Sequence, residues 1–192
     1  GIKPDYHIEM ERTKTMKAWL LKGTNEEFRQ DIGILGLNNI HPETFSLFDK
    51  KYMAAKANDL GQSLINNELK HESADILEYC NPTVTNCAMS YAYKLGFKNI
   101  YLIGVDLGMV DSESHHASGS VHFDLDKEKL KDNNYRNHNY TIDGNFVDEV
   151  KTTTTLDDSR VNFERFISIH QDLNVYNPNN GAKIKGAISI KP

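Results

Sequence analysis

The stretch Asn81-Pro-Thr-Val-Thr-Asn86, read with the run Leu95-Gly-Phe-Lys-Asn-Ile100-Tyr-Leu-Ile-Gly-Val105-Asp106, decides the fold. Asn81 to Asn86 is built of turn and cap residues, and Thr83 or Thr85 can accept from the first free amides of a helix. The alanine-rich segment Ala88 to Leu95 reads as that helix, with Gly96 as its stop. After the link Phe97-Lys-Asn comes Ile100 to Val105, a β-type run almost without polar residues. Such a run is predicted to be a central strand, buried on both faces of a parallel sheet covered by helices. Asp106 ends it.

Downstream, the polar loop after Asp106 brings together His115, His116 and His122, with Ser118, Ser120, Asp111 and Glu113. A charged stretch (124–132) and an Asn- and Tyr-rich stretch (133–145) follow. Leu156 to His170 carries apolar residues at helical spacing, and Thr152 to Thr155 before it reads as capping chemistry. Leu173 to Tyr176 reads as a closing strand, Asn177-Pro-Asn-Asn-Gly181 as a strong turn, and Ile184 to Ile190 as the last element. Upstream, Tyr6 to Met10 reads as a strand, Thr15 to Lys22 as a helix stopped at Gly23, and Ile32 to Leu37 as a buried strand. His41 to about Glu78 reads as a long polar region, weakly helical. Helix, strand, loop, helix, strand is the order of an open, doubly wound α/β sheet, in which ligands sit outside the carboxyl ends of the strands. Asp106 is expected at such an end.

The 192 residues suit one α/β domain with a real core, and 39% hydrophobic with 26% charged residues places the chain among globular proteins. A net charge of -5 argues against broad nucleic-acid binding, which needs a basic face. The two cysteines, Cys80 and Cys87, are too few for a disulfide framework. No signal peptide or membrane-spanning run is legible, so a cytoplasmic protein with reduced thiols and no membrane partner is expected.

Several residues can carry chemistry. Asp106 can hold a metal, a ribose hydroxyl or a substrate amine, or cap a turn. His115, His116 and His122 can supply a general base, since an imidazole titrates near neutrality; their spacing does not make a zinc site. Thr83, Thr85 and Asn86 can present helix amides to a phosphate or carboxylate, or serve as caps. Glu9 and Arg12, at the end of the first strand, can reach a ligand or form a surface ion pair. Cys87, inside a helix, reads as a buried structural thiol. Neither G-x-G-x-x-G nor a phosphate-binding G-x-x-x-x-G-K-[ST] is present.

Pro4-Asp-Tyr-His-Ile-Glu9, Pro82 to Asn86, Leu95 to Gly108, His115 to Ser120, Val150-Lys-Thr-Thr153 and Val175 to Gly186 together resemble the motility accessory factor (Maf) family. That family shares a domain with archaeal 6-hydroxymethyl-7,8-dihydropterin diphosphokinases of the MptE-like type. The segment from Thr83 to Asp106 is also similar in pattern to bacterial CMP-sialic-acid-dependent sialyltransferases. The resemblance implies a Rossmann-like, doubly wound, mostly parallel sheet in a single domain over 1–192. It also implies that this domain lacks the first strand and glycine-rich loop that family members carry upstream, so that the chain is a piece of a longer protein.

The function implied is transfer of a nonulosonic acid, such as pseudaminic or legionaminic acid, from its CMP form to Ser or Thr of flagellin. Under it, His115, His116 or His122 is the acceptor base. Amides near Thr83 to Asn86 receive the phosphate or sugar carboxylate, Asp106 orients a hydroxyl, and Ser118, Ser120, Glu9 and Arg12 line the ligand. The CMP-sugar donor is then the substrate; magnesium with ATP belongs to the alternative. The alternative is a diphosphokinase using ATP and magnesium, with Asp106 and Asp111 or Glu113 as metal ligands. A third reading is a non-catalytic flagellin-binding module.

Overall fold

The computed structural model describes residues 2–65, 67, 75–110 and 140–191, which group into two compact units, Gly1–Cys80 and Asn81–Pro192. The fold is mixed α/β and Rossmann-like, with two parallel sheets and one antiparallel pair among the described residues.

In the first unit, β1 (Tyr6–Glu9), β2 (Gly33–Leu37), β3 (Lys50–Lys56) and β4 (Ile76–Leu77) form one parallel sheet in the order β1-β2-β3-β4. Glu9 stands beside Gly36, and Leu37 beside Ala54. β2 is buried along its whole length, as its apolar sequence predicts, and Ile34 and Leu37 are fully inaccessible. Each such side chain contributes about 1.5–3 kcal/mol of burial, enough to fix β2 as an inner strand. The helices between the strands are α1 (Thr15–Gly23), α2 (Glu26–Arg29), α3 (Pro42–Phe45) and α4 (Leu60–Leu64). The polar region predicted as weakly helical from His41 onward therefore holds two strands, β3 and β4. β3 escapes notice because its first four residues, Lys50 to Met53, are exposed and only Ala54 and Ala55 are buried.

In the second unit, α5 (Val84–Lys94) leads to β5 (Asn99–Tyr101), and α6 (Thr154–Ile169) leads to β8 (Asn174–Asn177). β6 (Tyr140–Asp143) and β7 (Glu149–Thr152), in a region read only as a polar stretch and a cap, form an antiparallel pair. With β9 (Ile188–Ser189) the parallel order is β5-β8-β9, so β8 is the inner strand rather than a closing one. The core is made of Cys87, Met89, Phe163, Phe166 and Val175.

Helix α5 ends as the sequence indicates. Gly96 takes φ of 93°, its N–H reaches Tyr93 O, and Phe97 N–H reaches Ala92 O at 3.0 Å, which satisfies the last carbonyls. The strand after it is corrected. It spans Asn99–Tyr101 and not Ile100 to Val105, and it lies at one edge of its three-stranded sheet. Leu102 and Val105 are buried, yet Tyr101 and Ile103 are 58% and 83% exposed, because the chain turns at Ile103 and Gly104 instead of running straight.

Candidate functional site

The start of α5 is tied to α6 by buried hydroxyls and one amide. Asn86 is 1% exposed; its Oδ1 accepts from Ser159 Oγ at 2.6 Å, Thr83 Oγ1 at 2.9 Å and Thr83 N–H at 3.3 Å. Its Nδ2 donates to Ser159 O at 3.0 Å. Thr83 Oγ1 also meets Thr85 Oγ1 at 2.7 Å and Ser159 Oγ at 2.9 Å. One consistent proton order has Thr85 donating to Thr83, with Thr83 and Ser159 each donating to Asn86 Oδ1. Thr83, Thr85 and Asn86 thus act together as a cap that also staples two helices. Ser159, the partner sequence reading missed, lies 73 residues from Asn86. Replacing Asn86 with alanine strands several buried donors and acceptors and is expected to cost roughly 3 kcal/mol. A loss below about 1 kcal/mol in the unfolding free energy from chemical denaturation would show the network to be dispensable. Thr152 to Thr155 does cap: Thr153 is the N-cap of α6, and Leu156 N–H donates to its hydroxyl at 3.4 Å.

Asp106 lies five residues past the end of β5, on a loop clamped by asparagines. Asn179 Oδ1 accepts from Gly104 N–H at 2.9 Å, and its Nδ2 reaches Leu102 O and, at 3.2 Å, Val105 O. Asn177, 1% exposed, accepts from Asn179 N–H at 3.1 Å, and Asn145 Nδ2 donates to both Asn177 O and Asn179 O. Asp106 O accepts from Ala182 N–H at 2.7 Å, while Leu107 O accepts from the buried Thr152 hydroxyl. Leu107, at φ 52°, turns the chain so that Met109 can pair with Lys151. The run Asn177 to Gly181 is therefore more than a turn, since two of its asparagines, Asn177 and Asn179, hold the loop. The Asp106 side chain is exposed by area, and the protein packed around it raises its pKa above the ordinary carboxylate range.

In the first unit, Glu9 is 3% exposed and spends one carboxylate oxygen, at 2.8 Å each, on the N–H groups of Met10 and Glu11. Burial would raise its pKa. Interaction with His7, whose Nε2 stands 3.5 Å from Oε2, and the two amides outweigh that and hold it below the usual value. Arg12 is exposed, three residues beyond β1. His115, His116, Ser118, Ser120, His122, Asp111 and Glu113 lie outside the described residues. Cys87 is fully buried in α5, as expected of a structural thiol.

A second feature was not legible in sequence. A cleft of about 630 Å³ opens in the second unit, lined by Ile142, Asp143, Arg160, Glu164, Lys183 and Lys185 among others. Arg160 is already engaged there, at 2.7 Å from Asp157 and 2.6 Å from Glu164. Its lining takes in none of Thr83, Thr85, Asn86 and Asp106. Tyr140 donates to Asp157 at 2.7 Å, and that bond pushes its pKa up to about 12. Among the described residues no group of three or more His, Cys, Asp or Glu is placed to hold a metal. No helix among them is long and apolar enough to cross a membrane.

These features define a Rossmann-like α/β protein with a clamped loop following an outer strand of its second parallel sheet. The family model for 6-hydroxymethylpterin diphosphokinase MptE-like proteins matches residues 1–112, more than half of the chain, and the chain belongs to that family. Among solved structures, that of the MAf glycosyltransferase from Magnetospirillum magneticum AMB-1 is similar, with a TM-score of 0.75 and 23% identity. The similarity covers 99% of this chain and 27% of the other, so this chain spans about a quarter of that protein's length, and what they share is the fold. No curated protein matches the chain.

Proposed function

We propose that this chain is the nucleotide-sugar domain of a glycosyltransferase. It moves a nonulosonic, sialic-acid-like sugar from a CMP donor to a protein hydroxyl such as Ser or Thr of flagellin. The observation that carries the reading is the fold similarity to a MAf glycosyltransferase along 99% of the chain. The motifs from Thr83 to Asp106 and the histidine-bearing loop support it. In this reading a histidine among His115, His116 and His122 takes the acceptor hydroxyl's proton. The hydroxyl oxygen bonds to the anomeric carbon, and CMP departs with the electron pair of the broken C–O bond. Groups that stabilise the departing phosphate are what such a transfer requires. Asp106 is the candidate to orient a sugar or ribose hydroxyl, and amides near Thr83 to Asn86 are the candidates to receive the phosphate or sugar carboxylate. The acceptor is a macromolecule; neither nucleic acid nor membrane is part of the reading.

A second reading has its own support in the name of the family. A pterin diphosphokinase would transfer a diphosphate from ATP with magnesium, and Asp106 with Asp111 or Glu113 are the carboxylates it would use. In a third, the domain only holds flagellin. The three separate on thermal shift of the complete protein. CMP is expected to raise the melting temperature more than ATP with magnesium does. A larger shift with ATP and magnesium moves the diphosphokinase ahead, and no shift with either supports the binding module.

A further inference from the structure

The carboxyl end of the first unit's parallel sheet holds two buried acceptors in succession. Asn38 and Asn39 directly follow β2, and the Oδ1 atom of each is buried with no hydrogen-bond partner among the described residues. Buried side-chain carbonyls are nearly always satisfied, so two adjacent exceptions at the edge where open α/β sheets take their ligands point to something that donates to them.

The backbone around them is fixed. Asn38 N–H donates to Ala54 O at 2.9 Å, which ties the residue to β3. Its Nδ2 lies against Gly61 of α4, so close that a Cβ there would come within 1.7 Å of it. The amino side of the Asn38 amide is thus closed off by a residue without a side chain, and the carbonyl side is the one left unpaired. Asp59, next to this contact, is already used as the N-cap of α4, accepting from Gln62 N–H at 2.9 Å. It does not supply the missing partner. Its charge would also favour a donor there.

We propose that Asn38 and Asn39 read the base of a nucleotide. A carbonyl of this pair takes the exocyclic amino group of cytosine or adenine in preference to the oxo group of uracil or hypoxanthine. The inference rests on the nucleotide part of the reading above. An amino group supplies the N–H donors these carbonyls lack, whereas an oxo group in the same place sets its lone pairs against theirs. Asparagine pairing with an amino-bearing base edge is a recurrent recognition geometry.

The test is titration calorimetry on the protein with four probes: CMP, UMP, ATP and ITP. An amino base is expected to bind about tenfold or more tightly than its oxo counterpart. In the Asn38→Leu, Asn39→Leu double variant, which keeps side-chain size, that preference is expected to disappear while the oxo nucleotide binds as before. Asn39→Leu alone and Gly61→Ala, which displaces the Asn38 amide without removing it, serve as independent variants if the double one does not fold. ATP bound better than ITP, with CMP not bound, would sustain this inference and overturn the CMP-donor reading. Nucleotides bound with no amino–oxo difference, or with a preference that survives the variants, would overturn this inference alone. Binding of none of the four overturns both.

Discussion

Replacing one histidine of the pair His115 and His116 with alanine is expected to lower sugar transfer by about two to four orders of magnitude, the usual loss when a general base is removed. The acceptor is an alcohol whose proton must leave as its oxygen attacks. Of the side chains near Asp106 in sequence, only histidine combines a near-neutral pKa with both donor and acceptor atoms. Adjacent side chains diverge, so one of the pair is expected to carry the proton and the other to tolerate substitution. His116 is the favoured one, since Ala117 and Ser118 after it allow a close backbone turn. The melting temperature of both variants is expected to stay within about a degree of the parent, as for a residue that serves the reaction and not the fold. Transfer assayed with a CMP-nonulosonate and a flagellin acceptor decides it. Full activity in both single variants and in the double variant would show that the loop is only a wet connection.

How much of this was legible in the sequence depends on the range over which each signal acts. The caps at Thr83 and Thr153, the Gly96 stop and the buried run of β2 were readable because each is a statement about a few consecutive residues. β3 was not, since its exposed Lys50 to Met53 carries no alternation and its strand character comes from pairing with β2. The apolar run from Ile100 was overread as one strand for a similar reason. What bends it after Tyr101 is Asn179, bonded to Gly104 from 75 residues away. The candidate site divides in the same way. Thr83 and Asn86 stood out locally, but Ser159, which completes their network, is a plain serine within an amphipathic helix and gives no local sign. Glu9 was legible as the end of a strand, yet its commitment to its own neighbouring amides follows from burial that the sequence does not display.

Gly181→Ala is expected to be among the most damaging single changes in the second unit, at roughly 3 kcal/mol, the upper end of overpacking costs. A Cβ on Gly181 would stand 2.0 Å from Asp106 O and 2.6 Å from both Asp106 C and Cα, well inside van der Waals contact. These are backbone atoms, so no rotamer change can make room. The clash must be relieved by parting the two segments, which are joined at this point by the Ala182 N–H to Asp106 O bond of 2.7 Å, while Asn145 N–H holds Gly181 O at 2.8 Å. Separation would also pull on Asn179 and Asn177, whose bonds hold Leu102, Gly104 and Val105. The effect should therefore exceed stability alone and move the loop that carries Asp106. For a chain of this size about 3 kcal/mol corresponds to a fall of roughly 6–12 °C in melting temperature. Amide exchange is expected to quicken first at Gly104 and Ala182, whose N–H groups sit in the affected bonds. An alanine variant that melts within two degrees of the parent, with unchanged exchange at those amides, would show that the loop can shift without loss and that the clamp does not fix Asp106.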